Sequence, residues 1–397
     1  MSSNQHTAVI LPPTAASFRM IAGLPLIQRL VLSAQRGGFE RVMVMGGADP
    51  TRVQALLAAD DRTRTVEIVS ATAPWPVPDG RVALIPSDCV VTAATLRRTR
   101  STPLNGRPLV FGNANGSDRV VVCHAAALPD VAARCLANTS GDVPSADFEP
   151  APHPDDVCVR VSDEASALYA EDRLLAEIRA STAASDGPMA RFDRSVSQWI
   201  SRRLVTTALR PNHITMIGTA VGLLGAWCLS AGHYVGDAIG TLLFVCATVI
   251  DGCDGEVARL KFQETRFGHI FDVTTDNVVH VAIFVGLGVG HYHRYPTANH
   301  ALLVWLLVVG FACAAGAVYW CFLRHPRDRE ARPHTTPAKI RKYVLDGFEA
   351  TMNRDFAYLL LLLALVNRLQ WFVWGAAFGM YVFAATLLLV HRWGDAD

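Results

Sequence analysis

This sequence predicts an N-terminal α/β domain followed by an all-α membrane domain of six spans, and three observations predict it. Up to about Ala190, apolar runs of strand length alternate with helical patterns. Beyond Pro211 the apolar runs lengthen to roughly 20 residues, the length a helix needs to cross a bilayer. Between the two, "FDRSVSQWISRRLVTTAL" places Phe192, Val196, Trp199, Ile200 and Leu204 at helical spacing opposite Arg194, Arg202 and Arg203. A basic amphipathic helix with a tryptophan is expected to lie in the membrane interface. The expected limits are 1–165 for the α/β domain, 166–210 for a helical linker with the interfacial helix, and 211–397 for the membrane domain.

In the first domain "TAVILPP" reads as a strand, "LPLIQRLVLSAQRGG" as an amphipathic helix closed by glycine, and "RVMVMGG" as a second strand. "TVEIVSA", "RVALIPSD" and "PLVFGN" follow as further strands. Strands apolar on both faces and alternating with helices predict a parallel, Rossmann-type sheet. The segment from Asp163 onward, "DEASALYAEDRLLAEIRAST", reads as a solvated helix.

The six spans are placed near 211–232, 235–260, 267–291, 300–323, 343–366 and 371–391. Basic residues mark the cytoplasmic side of a membrane protein. Arg202, Arg203 and Arg210 precede the first span; Arg259, Lys261 and Arg266 lie around the second turn; "RHPRDREARPHTTPAKIRK" joins the fourth and fifth. The opposite loops, "SAGHYVGD", "HYHRYPTANH" and "NRLQ", hold only two arginines. Both termini and the α/β domain are therefore expected inside an inner, cytoplasmic membrane. "MSSNQHTAVILPP" lacks the basic start and apolar core of a signal peptide. Lys+Arg 36 against Asp+Glu 35 gives no charge for a nucleic-acid partner. Nine cysteines occur with no CxxC pair, which suits a reducing compartment. Cys253 is read as a small apolar spacer.

The chemistry concentrates in "DGCDGEVARLKFQETRFGHIFDVTTD", residues 251 to 276. Asp251 and Asp254 are three apart at the inner end of the second span. Asp272 and Asp276 are four apart at the start of the third. Each pair shares a helical face, so two antiparallel neighbours would present four carboxylates to one cavity. Ionisable groups at that depth are rare and need a partner, and Arg259 and Arg266 are too few. Hard oxygen ligands suit Mg²⁺ or Mn²⁺, and two such ions would stabilise a phosphoryl group in in-line displacement. One carboxylate nearer the acceptor would serve as base. Gly255 and Gly268 each cost roughly 1 kcal/mol against alanine inside a helix. Close approach of a ligand and close packing of helices both explain them.

Asp251-x2-Asp254-Gly255-x2-Ala258-Arg259-x8-Gly268-x3-Asp272-x3-Asp276 resembles, at all eight fixed positions, the signature of the CDP-alcohol phosphotransferase family. "PNHIT", with Asn212 and Thr215, opens the first span in a way similar to that family. The resemblance implies six spans, transfer of a phospho-alcohol group from a CDP-alcohol to a second alcohol with release of CMP, and a homodimer. It further implies that Asp251, Asp254 and Asp272 bind metal and that Asp276 is base and also a ligand. Asn212, Thr215, Gly255, Ala258, Arg259 and Gly268 would then flank the CDP-alcohol together with Asp251.

The front domain looks like a sugar-nucleotide nucleotidyltransferase, with Asp88 of "LIPSD" in place of its metal-binding aspartate. The order of domains is similar to the bifunctional inositol-1-phosphate cytidylyltransferase/di-inositol-phosphate-phosphate synthase enzymes. Active nucleotidyltransferases open with a glycine-rich loop, an arginine and a downstream lysine that cradle triphosphate. Here "LPPTAASFRMIAGLPL" keeps Arg19 and lacks the rest. A catalytically dead scaffold, allosteric or partner-binding unit is therefore expected. The donor is either CDP-diacylglycerol or a CDP-polyol such as CDP-inositol. For the acceptor, Arg354 on the polar inner half of the fifth span, with Arg324, Arg341 or Lys342, is a candidate phosphate grip. Rival readings are a bifunctional enzyme that makes its own CDP-alcohol, and a non-catalytic scaffold or cation transporter.

Overall fold

The computed structural model describes residues 5–70, 80–104, 106–112, 119–137, 148–151, 153, 156–182, 188–318 and 355–394. The chain divides into two compact units. The first comprises residues 1–181 together with Val205–Thr207 and Leu260–Phe262. The second holds residues 182–204, 208–259 and 263–397.

In the first unit the elements run β1 (Gln5–Ile10), β2 (Met20–Ile21), β3 (Leu24–Pro25), α1 (Leu26–Arg36), β4 (Arg41–Met45), α2 (Pro50–Ala58), β5 (Glu67–Val69) and β6 (Gly80–Ile85). β7 (Cys89–Val91), α3 (Ala93–Ser101), β8 (Leu109–Gly112), β9 (Arg119–His124), α4 (Leu128–Ala137), β10 (Glu149–Pro150), β11 (Cys158–Arg160) and α5 (Glu164–Thr182) complete it. Seven strands form one sheet in the order β10-β8-β9-β6-β1-β4-β5.

Side chains that alternate along each strand feed two separate cores. Ala8, Ile10, Val42, Val44, Ala83 and Ile85 pack on the α1 side. Val9, Met43, Met45, Val82 and Leu84 pack on the other, with Leu128 and Val131 of α4. Every expected strand is present. The sheet is mixed rather than parallel, because β9 runs antiparallel to both β6 and β8. The connection from β8 to β9 is too short for a crossover, and only an antiparallel return fits it.

The helix α5 is not a solvated linker. Ala170, Leu174 and Leu175 are buried in the core of the first unit, and Glu171 Oε1 accepts from Ala22 N at 2.6 Å. Its packed apolar residues, Ala167, Ala170, Leu174, Leu175 and Ile178, recur every three or four positions, which is enough to dock one edge of an otherwise charged helix.

The second unit contains α6 (Pro188–Leu204), α7 (Pro211–Ser230), α8 (Tyr234–Leu260, whose last residue belongs to the first unit), α9 (Arg266–Arg294), α10 (Ala298–Val318), α11 (Asp355–Leu365) and α12 (Leu369–Gly394). Among the described residues, four helices are long and apolar enough to cross a membrane: α7, α8, α9 and α12. Shorter apolar helices stand where the fourth and fifth spans are expected.

Small residues bring α7 and α9 together. A Cβ on Gly290 would lie 2.0 Å from Leu229 O, one on Gly286 2.3 Å from Ala226 O, and one on Gly222 2.5 Å from a Val279 methyl. Lipid tails are as apolar as leucine, so backbone approach of this kind replaces the hydrophobic effect as the cement of the bundle. At the end remote from the aspartates, Arg294 pairs with Asp237 at 3.2 Å and with Asn367 at 2.8 Å.

The helix α6 is present, but its faces differ from the expected ones. Asp193, Ser197, Gln198 and Ser201 are buried, while Phe192 and Trp199 are exposed, with the Arg203 guanidinium 3.8 Å above the Trp199 ring. Ser197 Oγ donates to Glu256 Oε1 at 2.9 Å, and the Tyr358 hydroxyl to Asp193. The aromatic and arginine face suits headgroups and lipid, and the polar stripe is buried, with Ser197 and Asp193 hydrogen-bonded and Ser201 Oγ without a hydrogen-bond partner among the described residues.

Candidate active site

The site is built on the C-terminal end of α8 and the N-terminal end of α9. Thr265 caps α9, accepting from Gly268 N at 2.9 Å. The chain leaves α8 through Phe262 at φ 55, and Gln263 N closes the turn on Ala258 O at 2.8 Å. That is the left-handed helix ending that glycine usually makes. Phenylalanine there carries a steric penalty of about 1–2 kcal/mol.

This turn brings the aspartates of the two helices together. One oxygen of each of Asp251, Asp254 and Asp272 lies within 4.8 Å of the others. Three ionised carboxylates at that spacing repel by about 3–4 kcal/mol per pair at an effective dielectric of 20. A divalent cation removes that repulsion. Asp272 Oδ1 is buried and has no hydrogen-bond partner among the described residues, as an oxygen reserved for a ligand would be. All donors are hard carboxylate oxygens, the set that suits Mg²⁺ or Mn²⁺. The residues present therefore fit a divalent metal. Asp276, half-buried one turn beyond Asp272, is not in the three-carboxylate group.

Thr215 is buried and donates its hydroxyl to Asp254 Oδ2. Asn212 reaches the other side, where a Cβ on Gly268 would lie 3.3 Å from Asn212 Oδ1. Both "PNHIT" residues thus adjoin the aspartate motif. Arg259 folds back along its own helix, Nε donating to Gly255 O at 3.0 Å.

The motif glycines behave unlike those between α7 and α9. A Cβ on Gly255 would meet only the tip of Arg259 at 3.2 Å, and one on Gly268 only the side chains of Thr265 and Asn212. Neither meets a neighbouring backbone among the described residues, so close packing of helices does not account for them. Ala258 is buried, one turn from Asp254. Cys253 is fully buried, its thiol directed at Val249 O and Ser197 O, which fits a spacer. Arg324, Arg341, Lys342 and Arg354 lie outside the described residues.

Glu256, inside the motif and 1% exposed, was not singled out from sequence, nor was its partner Ser197. The recurrence of Asp193, Ser197 and Ser201 at every fourth position was the available signal.

In the first unit, Asp88 is paired with Arg160 at 3.3 Å. The loop after β1 offers few free donors. Pro12 and Pro13 have no N–H, Thr14 N is taken by Ser17 Oγ at 2.9 Å, and Ser17 N by Thr14 O at 3.1 Å.

Comparison with known proteins places residues 208–390 in a match to the CDP-alcohol phosphatidyltransferase family. A bifunctional IPC transferase and DIPP synthase of Rubrobacter xylanophilus is 33% identical over 127 residues, 30% of this chain and 28% of that protein. An archaetidylinositol phosphate synthase of Methanothermobacter thermautotrophicus is 34% identical over 119 residues, 28% of this chain and 59% of that one. A phosphatidylinositol phosphate synthase of Mycobacteroides abscessus is 33% identical over 89 residues, 22% of this chain and 39% of the relative. In each case the matched stretch spans less than two thirds of the relative's length.

Proposed function

We propose that this membrane protein, whose residues 208–390 match the CDP-alcohol phosphatidyltransferase family, transfers a phospho-alcohol group from a CDP-alcohol to a second alcohol and releases CMP. The observation that carries the reading is the convergence of Asp251, Asp254 and Asp272 from two helices within 4.8 Å, beside two glycines whose missing side chains leave room for a ligand.

Asp251, Asp254 and Asp272 would hold Mg²⁺ or Mn²⁺, two ions per site, which supply charge neutralisation and Lewis-acid polarisation to the diphosphate. Thr215 fixes the orientation of Asp254. Gly255, Ala258 and Gly268 let the nucleotide and diphosphate approach the backbone, with Asn212 alongside. Arg259, held along α8 by Gly255 O, keeps its guanidinium next to that space, where a phosphate oxygen is its natural partner. Asp276 lies one turn beyond Asp272 and outside the three-carboxylate group, a placement that suits a base. It accepts the proton of the acceptor hydroxyl as the acceptor oxygen bonds to the β-phosphorus. The bond between that phosphorus and the bridging oxygen breaks, and the oxygen leaves with CMP.

Two of the relatives are synthases named for an inositol phosphate lipid. A phosphorylated polyol is accordingly the first acceptor to test, with Arg324, Arg341, Lys342 and Arg354 as its proposed grip. CDP-diacylglycerol and CDP-inositol are the donors to compare. The front domain is proposed to be catalytically silent, because the loop after β1 has lost the donors that would cradle triphosphate. A homodimer in the inner membrane with both termini cytoplasmic completes the proposal; the basic segments of the sequence support the orientation of the termini.

Purified protein with Mn²⁺, either donor and a panel of acceptors should release CMP only when the matching acceptor is present. No CMP from any pair would favour a scaffold or transporter. Consumption of CTP by the full chain with a sugar or polyol phosphate would restore the bifunctional reading.

A further inference from the structure

The turn that joins the two aspartate-bearing helices is held by side chains of the α/β unit. Leu260–Phe262 belong to that unit, and Leu260 is buried in its core together with Val205. Arg29 on α1 is 2% exposed. Its guanidinium donates to Leu260 O at 2.8 Å, to Ala22 O at 2.9 Å and to Ile21 O at 2.9 Å. Burial lowers its pKa to about 10, so it is still a cation at neutral pH. Arg62 Nη1 donates to Lys261 O at 2.8 Å and to Phe262 O at 2.7 Å. The rest of that guanidinium is fixed by Asp60, at 2.6 Å through Nη2, and Gln28 of α1 donates to the same carboxylate at 2.7 Å. The guanidinium groups of Arg36 and Arg29 lie 4.9 Å and 5.5 Å from the centre of the Phe262 ring.

The last carbonyls of a helix have no partner within it. Here Leu260 O at the end of α8 and the next two carbonyls of the turn accept from two arginines, whose charge also complements the negative end of the helix. The turn's own sequence offers little to hold it, since its left-handed position is occupied by phenylalanine rather than glycine. At 1.5 Å of rise per residue, Leu260 is about 9 Å along α8 from Asp254. A displacement at the turn is thus delivered to the carboxylates within less than two helical turns. Magnesium demands near-octahedral oxygens at short range, and a displacement of about 1 Å in a catalytic array costs on the order of 100-fold.

We infer that Arg29 and Arg62 are positioning residues for the metal site. Within the first unit they fix the carbonyls of Leu260–Phe262, and through the continuous helix α8 they set the phase in which Asp251 and Asp254 meet Asp272. The inference rests on the reading of those three aspartates as metal ligands. It gives the front domain a task in the transfer reaction that needs no nucleotide of its own.

The test uses the full chain in lipid nanodiscs, with Mn²⁺ titrated in the absence of nucleotide and free Mn²⁺ followed by electron paramagnetic resonance. In Arg62→Gln the apparent Kd for Mn²⁺ should rise at least tenfold, and Arg62→Lys, which keeps the charge and one bond, should recover part of the loss. CMP release should show the same split: the Mn²⁺ concentration for half-maximal rate moves tenfold, while kcat at saturating Mn²⁺ changes less than twofold. Amide exchange at residues 258–265 should quicken about tenfold in Arg62→Gln. Faster exchange with unchanged Mn²⁺ affinity would overturn the inference, and so would unchanged exchange, since Arg62 would then not hold the turn. Wild-type protein that binds no Mn²⁺ would instead remove the metal reading itself. Arg29→Met is the harsher variant, and the Arg62 pair decides the matter if it does not fold.

Discussion

The hydroxyl of Thr215, in the second turn of α7, donates to Oδ2 of Asp254 on α8. One carboxylate oxygen of the aspartate motif is thereby oriented by a residue 39 positions earlier in the chain, and the first span becomes part of the site. Removing the hydroxyl without changing the volume isolates this role. Thr215→Val should keep the fold and weaken Mn²⁺ binding by about 10–100-fold, the usual cost of losing a group that orients a ligand. A Mn²⁺ titration of the detergent-solubilised variant checks it, and affinity equal to wild type would show that Thr215 does not orient the ligand.

The glycines separate ligand space from helix packing. Gly255→Ala should raise thermal stability slightly, because alanine in a helix interior is favoured by about 1 kcal/mol and its methyl meets only the Arg259 tip. CMP release should nevertheless fall by at least tenfold, with KM for the donor rising. Gly290→Ala should do the reverse. Its methyl would lie 2.0 Å from Leu229 O, so the bundle must part and the melting temperature drop, with donor KM nearly unchanged in whatever fraction stays folded. Melting curves and donor titrations on both variants make the comparison.

These contrasts also show what could be read from the chain before its structure. Alternating runs such as "RVMVMGG" identified every strand singled out, because each feeds two cores and is apolar throughout. The direction of β9 was not legible, since a run like "RVVVCH" has no polarity of its own and its sense is set by the short return from β8. Spacing alone put Asp251 with Asp254 and Asp272 with Asp276 on shared faces. It did not show which three of the four come within 4.8 Å of one another, because that depends on the rotation between two helices. The arginines on the turn were illegible for a similar reason. Arg29 and Arg62 act on carbonyls some two hundred residues away, at 2.8 Å in each case, and backbone acceptors leave no trace in a sequence pattern.

Acid should loosen the clamp. The Arg62 guanidinium, through its hydrogen bonds, holds the Asp60 carboxyl below the usual carboxylate range, with partial burial opposing it. A depressed folded-state pKa means that the stabilising contribution is fully present above the unfolded value of about 3.9 and is lost as pH falls through the folded one. Exchange at residues 258–265 should therefore be insensitive to this group from pH 8 to pH 5 and quicken below about pH 4. In Asp60→Asn the turn should already be loose at neutral pH, and the gap from wild type should close as the acid range is entered. A gap that stays constant across that range would show that Asp60 does not act through its charge.

The last distinction is between holding the metal and moving the proton. Asp254 lies in the three-carboxylate group and is buried. Asp254→Asn removes one ionised oxygen donor from that group and should abolish measurable Mn²⁺ binding together with CMP release. Asp276 lies outside the group on the same helix as Asp272, one turn further into the membrane. Asp276→Asn should retain Mn²⁺ affinity within about threefold and also retain donor binding, yet lose roughly 10²–10⁴ in kcat, the range typical of a removed general base. The pH profile gives a second reading, because loss of the base should flatten the acidic limb of kcat in the residual activity. If Asp276→Asn instead loses Mn²⁺ as Asp254→Asn does, the fourth aspartate is a ligand in the working enzyme and the acceptor proton must leave by another route.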